Sequence, residues 1–485
     1  MSERPNLLLF MPDQLRADAI GAFGSASAST PNYDALAERG TRFDRTWAQH
    51  SVCSQSRISM FTGWYPHVAG HRTLTHLLQP HEPNVFAALK QGGYHVALAG
   101  ARGDMMGPGV TAASSDRFGF TRPPDRADMR AFFQAGVDRD DPRYFSMWGP
   151  PVGEEPFDLD EATISTAIDW LTEGLPEPWC LFVPLIYPHP PFTAPPRWYH
   201  LHDRSVDGVA RPVREGAPRF HQLIRERYGL AAMTPADWAE LRAVYRGMVS
   251  RVDDQLGRLV AAVDRAGAAD RTVTIAFTDH GEYLGDHGLV EKWPAGVDDV
   301  LLRNPLVIDD PRRSSGVVDS PVEMVDLTAT MLDLAEVDAD WTHFGRSLVP
   351  LLSDPTVSHR DAAFSEGGFA VREAALLERG AHGHYSAKQE LQSDDPESVG
   401  RTMCVRTTEW CYVERLYEGP ELYDLANDPG ELVNVAGRPE HTAVERELER
   451  RLHRWLFDTV DVIPWQADPR MDPDLQSAFS RSSRT

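Results

Sequence analysis

Leu7-Leu8-Leu9-Phe10-Met11 is an unbroken apolar run that stops at Pro12-Asp13-Gln14. So short a run, with no polar alternation, predicts a strand buried on both faces. A second run, Thr272-Val273-Thr274-Ile275-Ala276-Phe277-Thr278, ends in the same way at Asp279-His280-Gly281. Between them helical and strand patterns alternate. Asn84 to Gln91 has helical spacing and ends at Gly92-Gly93, and His95-Val96-Ala97-Leu98-Ala99 reads as the next strand. Glu161 to Thr172 predicts a helix and Cys180 to Tyr187 a strand. Trp238, Leu241, Tyr245, Met248, Val252, Leu256, Leu259 and Val263 then recur at helical spacing, which predicts one long amphipathic helix leading into the second Asp-ended strand. Leu306-Val307-Ile308 and a helix from Val325 to Ala335 close the region. This alternation predicts an α/β fold.

From about residue 360 the pattern changes to short strands around Ala362-Ala363-Phe364, Met403 to Arg406 and Cys411 to Leu416, then a charged helix from Thr442 to Phe457. The expected division is a catalytic α/β domain over residues 1–360 and a C-terminal subdomain over 361–485 with a small antiparallel sheet and a terminal helix. Residues 100–155, rich in Gly, Pro, Asp and Arg, read as an irregular excursion over the active-site face, and Arg197 to Arg227 as a second polar, Pro-containing insertion. The tail after Asp468 reads as loose.

A chain of 485 residues exceeds the usual size of one core, in keeping with that division. With 72 acidic against 48 basic residues the formal charge is −24, which argues against nucleic acid or an anionic membrane as partner. Met1-Ser2-Glu3-Arg4-Pro5 leads straight into a strand without the features of a secretory leader, and no run reaches membrane-spanning length. Cys53, Cys180, Cys404 and Cys411 are too scattered for a disulfide framework. The expectation is a cytoplasmic protein with no membrane partner, its oligomeric state open.

The two strand ends carry the chemistry. Asp13-Gln14 and Asp279-His280 offer hard oxygens and an imidazole nitrogen where ligands bind in open α/β sheets. Alone, either pair also suits a turn cap. Cys53-Ser54-Gln55-Ser56-Arg57 opens a short helix with Arg57 one turn on from Cys53, which predicts an accessible, electropositive cysteine at a helix start.

Cys53-Ser54-Gln55-Ser56-Arg57, followed by Thr62-Gly63-Trp64-Tyr65-Pro66-His67, resembles the signature of type I sulfatases in the alkaline phosphatase superfamily. Thr30-Pro31-Asn32-Tyr33 ahead of it, then Pro188-His189-Pro190-Pro191-Phe192, Val252-Asp253-Asp254-Gln255, the loop from Asp279 to Lys292 and Glu421-Leu422-Tyr423-Asp424 follow in the family's order. The resemblance implies an alkaline phosphatase-like fold: a large mixed, mostly parallel sheet flanked by helices, with a smaller C-terminal α+β subdomain. It also implies hydrolysis of a small anionic ester at one divalent cation. Asp13, Gln14, Asp279 and His280 would bind the metal with Cys53, which the family oxidises to formylglycine as nucleophile. Arg57 would hold that group, while His189 and Lys292 would contact the sulfate or its leaving oxygen. Gln14 and His280 make the site softer than an all-carboxylate one, favouring Mn2+ with Ca2+ as alternative, and resemble choline sulfatases and phosphonate monoester hydrolases.

Two positions depart from the family pattern. Gln55 stands where the oxidising machinery reads Pro. Gly100-Ala101-Arg102-Gly103-Asp104 lacks the usual Lys and His, which leaves Arg102 and Arg72 as alternatives for the missing charge. The sequence therefore carries three readings: a sulfatase, a phosphonate monoester or phosphodiester hydrolase on the same site, and a metal-binding homologue with unmodified Cys53.

Overall fold

Our computed structural model describes residues 4–100, 104–133, 141, 143, 144, 148–204, 211–377 and 385–462. The first apolar run forms β1 (Asn6–Met11). In chain order follow β2 (Thr41–Phe43), β3 (Thr46–Trp47), β4 (His95–Ala99), β5 (Arg117–Gly119) and β6 (Trp179–Pro184). Then come β7 (Thr272–Ala276), β8 (Leu306–Asp309), β9 (Gly316–Val318) and β10 (Val322–Glu323). The large sheet runs β5-β4-β6-β1-β7-β8-β2-β9, while β3 and β10 pair separately. All its pairings are parallel except β7 with β8 and β8 with β2. The sheet is thus mixed and mostly parallel.

Burial on both faces explains the unbroken apolar runs. Along β1, Leu7, Leu9 and Met11 pack with Phe61, Phe182 and Phe277 on one side, while Leu8 and Phe10 pack with Val183, Tyr245 and Ala276 on the other. Side chains alternate faces, so both layers of helices find apolar partners. The long helix spans Pro235–Arg265 and starts at a capping box, with Thr234 accepting from the Asp237 amide and Asp237 from the Thr234 amide.

The second sheet is antiparallel, in the order β11 (Ala363–Gly367), β12 (Thr402–Arg406), β13 (Trp410–Arg415) and β14 (Glu421–Asp424). Leu448, Leu452 and Trp455 of the helix Thr442–Thr459 cover it against Val405, Tyr412 and Leu422. It is tied to the larger sheet's loops by Ser365 Oγ donating to Ala48 O at 2.6 Å and Arg415 donating to Ala295 O at 3.0 Å. Cys404 and Cys411 lie on paired strands with Sγ atoms 3.5 Å apart, both free.

The excursions are more regular than their composition suggests. Residues 100–155 contribute edge strand β5 and the helices Val110–Ser114 and Arg126–Phe133. The segment from Arg197 contains the helix Arg219–Arg227. Strand β6 stops at Pro184 instead of reaching Tyr187, because buried Asp160 takes the N–H groups of Ile186 and Tyr187 at 2.6 and 2.9 Å, out of the ladder. Arg102 and the tail after Asp468 lie outside the described residues.

Candidate active site

Strands β6, β1 and β7 are neighbours, with Met11 level with Pro184 and Phe10 with Ala276, so the segments leaving their C-terminal ends meet in one place. Gln14 adopts φ +66°, an uncommon conformation for a side-chain-bearing residue, and its N–H donates to Asp279 Oδ1 at 3.0 Å. The ends of β1 and β7 are thereby locked together. Gly281 lets the second loop fold back, since a Cβ there would stand 2.0 Å from the carbonyl oxygen of Val300. The helix Cys53–Thr62 points its start into the same junction and ends at Gly63 in the left-handed region.

There Asp13, Cys53, Asp279 and His280 each offer a ligand atom, all within 4.8 Å of one another and all buried. His280 Nδ1–H donates to Gly281 O at 2.9 Å, which leaves the Nε2 lone pair facing Cys53 Sγ at 3.2 Å. Burial foremost keeps this imidazole below its ordinary pKa, a neutral ligand. Arg57 donates from Nε to Asp279 Oδ2 at 2.9 Å and from Nη2 to Asp13 Oδ2 at 2.5 Å. Each carboxylate thus spends one oxygen on Arg57 and turns Oδ1 toward His280, at 3.8 Å from Nε2 in both cases.

Cys53 is 5% exposed, not the accessible cysteine its helix-start position suggests. Nor is its surrounding simply electropositive. Burial first, and the Asp13 carboxylate second, push its thiol well above the usual range, against Lys292 and Arg57. Two buried carboxylates faced by one buried guanidinium leave an uncompensated negative charge, and a divalent cation suits that charge and this O, N and S donor set.

The predicted residues beyond this cluster are arranged around it. Gln14 Oε1 accepts from Lys292 Nζ at 2.5 Å, and its amide NH2 donates to Glu282. Lys292 also meets Glu291 Oε1 at 2.7 Å, and Lys388 meets Glu291 Oε2 at 2.6 Å. His189 leaves β6 on the other side, donating from Nδ1 to Pro190 O at 2.7 Å, with Nε2 3.4 Å from the Tyr385 hydroxyl. Arg72 is held by both oxygens of Glu373, at 2.9 and 2.7 Å. Gln55 donates to Arg72 O at 3.1 Å.

Glu282, Glu291, Tyr385 and Lys388 escape a reading of the sequence alone. The two glutamates sit inside the loop from Asp279 to Lys292, and the neighbouring Glu291-Lys292 charges were the available signal. Tyr385 and Lys388 carry no motif and arrive only through tertiary packing.

Known proteins share this chain's sequence and fold over most of its length. The family model described as Sulfatase matches residues 5–337. The chain is 26% identical to "Uncharacterized sulfatase YidJ" of Escherichia coli (strain K12), covering 98% of this chain and 93% of that protein. It is 25% identical to "Choline-sulfatase" of Rhizobium meliloti (strain 1021), over 96% of this chain and 90% of that one. Among solved structures, phosphonate monoester hydrolase of Agrobacterium radiobacter superposes with a TM-score of 0.76 at 27% identity, covering 95% of this chain and 97% of that chain.

Proposed function

The chain belongs to the sulfatase family, in the alkaline phosphatase superfamily, and on that premise we propose that it is a metal-dependent hydrolase of small sulfate esters. The observation that carries this reading is the convergence of Cys53, Asp13, Asp279 and His280 on one point, with Arg57 bridging both carboxylates. Those four side chains would hold one divalent cation, with Gln14 completing the set if its amide exchanges Lys292 for the metal. The Gln14 oxygen and the His280 nitrogen make the site less anionic and softer than an all-carboxylate one, which favours Mn2+ over Ca2+. The cation would supply positive charge to the non-bridging oxygens of the ester.

Cys53, once oxidised to formylglycine, would supply the nucleophile as a hydroxyl of its hydrate. The chain's own residues do the remaining work. Arg57 fixes both carboxylates and flanks the nucleophile. Lys292 keeps its ammonium: burial is the largest single influence and opposes the charge, but Glu291, Cys53, Tyr385 and Asp13 together raise it well above its usual value, and it lends positive charge close to Cys53. His189 borders the side from which the ester's alcohol departs. Charge stabilisation of this kind is commonly the largest part of an ester hydrolase's rate.

A second reading, a phosphonate monoester or phosphodiester hydrolase, is supported by the likeness to the Agrobacterium enzyme and by the Gln14 and His280 pattern. A tetrahedral oxyanion of similar size makes similar demands. A metal-binding homologue with unmodified Cys53 rests on Gln55. Matched aryl sulfate, phenylphosphonate monoester and phosphodiester substrates, assayed beside the mass of the Cys53 peptide, separate the three. We expect sulfate release to dominate together with an aldehyde mass; preferred phosphonate release favours the second reading, and an intact thiol with no turnover the third. A cytoplasmic location suits four free cysteines, and no helix among the described residues is long and apolar enough to cross a membrane.

A further inference from the structure

The helix Tyr385–Asp394 arises from neither strand end; it lies in the stretch between β11 and β12. Tyr385 and Lys388 are three residues apart, so they share one face of it. That face is turned to the site. Lys388 Nζ reaches Glu291 Oε2 at 2.6 Å, and the other oxygen of Glu291 holds Lys292, so the helix is anchored to the catalytic loop. Tyr385 stacks on His189, ring centroids 6.2 Å apart and planes at 28°, with its hydroxyl 3.4 Å from Nε2.

The direction of that hydrogen bond follows from the other ring nitrogen. His189 Nδ1 faces the carbonyl of Pro190 at 2.7 Å and must carry a proton to bond it. In the neutral ring Nε2 then has only a lone pair, so Tyr385 donates and His189 accepts. The donor on this side of the site is therefore the tyrosine. The same helix face thus bears on both His189 and the Glu291–Lys292 pair. Burial foremost raises the phenol well above its usual value, so it keeps its proton.

We propose that Tyr385 is a catalytic residue of this site: its hydroxyl turns from His189 to donate a hydrogen bond to the departing alcohol oxygen of the ester. The tyrosine keeps its proton throughout, and the departing oxygen draws its proton from water. The hydrogen bond strengthens as negative charge builds on that oxygen, so it counts most for poor leaving groups. The inference rests on the hydrolase reading above.

The test is Tyr385→Phe, which removes one oxygen, in the Mn2+-loaded protein. Across aryl sulfates from para-nitrophenyl to phenyl, kcat/KM should fall by roughly threefold for the best leaving group and roughly a hundredfold for the poorest. An equal loss along the series, or none, overturns the proposal. Calorimetry on a Cys53→Ala background needs no turnover. There Tyr385→Phe should weaken phenyl sulfate about fivefold, the worth of one hydrogen bond, and leave inorganic sulfate unchanged. If the parent hydrolyses no ester, the hydrolase reading fails, and calorimetry alone decides on Tyr385: equal weakening of both ligands, or of neither, rejects it.

Discussion

Cys53 Sγ lies 3.2 Å from His280 Nε2, joining a helix start to a strand end 227 residues away. The contact exists because β1 and β7 are neighbours and their loops are locked by the Gln14 N–H on Asp279. A site held by two strand ends and a helix start is fixed before any ligand arrives.

Removing one carboxylate should empty the metal site. In Asp279→Ala, bound Mn2+ after dialysis should fall at least about tenfold, because an oxygen ligand and the second anchor of Arg57 go together. Metal analysis against the parent checks this; equal content in both proteins moves the site elsewhere.

Arg57 holds Asp13 and Asp279 apart in the absence of a cation. Arg57→Met should cost about 3 kcal/mol in metal-free protein, since two buried carboxylates are left facing each other. Added Mn2+ should recover more of the Tm in this variant than in the parent. Thermal unfolding with and without metal reads both effects.

Gln55 is the third residue of the helix Cys53–Thr62, and the first helical hydrogen bond from that turn is Ser56 N to Val52 O at 3.0 Å. The Gln55 N–H has no helical acceptor, so Gln55→Pro should fold with a stability change within about 1 kcal/mol. Conversion of Cys53 to aldehyde should rise, and sulfate release with it. Peptide mass spectrometry beside kinetics shows whether they rise in step; aldehyde without added turnover makes Cys53 a ligand only.

Asp160 holds the backbone that leads to His189, and its carboxyl is pushed up to about 7 by burial first and by Asp158 second. The native state therefore keeps a proton that the unfolded chain has lost between pH 3.8 and about 7. Its contribution to stability falls as pH rises through that window. Asp160→Asn removes the titration, so the variant should gain on the parent in urea midpoint as pH increases from 3.8 to about 7. A difference independent of pH contradicts the assignment.

Much of this was legible in the chain because it depends on local rules. Apolar runs ending in Asp fixed β1 and β7, and helical spacing fixed the long helix through Val252 and Leu256. The contacts that needed three dimensions were not legible. Strands β2 and β9 are short, and β2 sits between β8 and β9 through pairings across more than half the chain. Cys53 at a helix start suggested exposure and positive surroundings, yet packing buries it beside Asp13. Tyr385 and Lys388 come from a segment with weak periodicity whose helix is held by the ion pair to Glu291.

The most direct test of the account is steady-state release of sulfate from para-nitrophenyl sulfate by Mn2+-loaded protein, compared between the parent and Cys53→Ala. The account predicts multiple turnovers for the parent and a loss of at least about a thousandfold in the variant. Turnover by Cys53→Ala at the parent rate would contradict it.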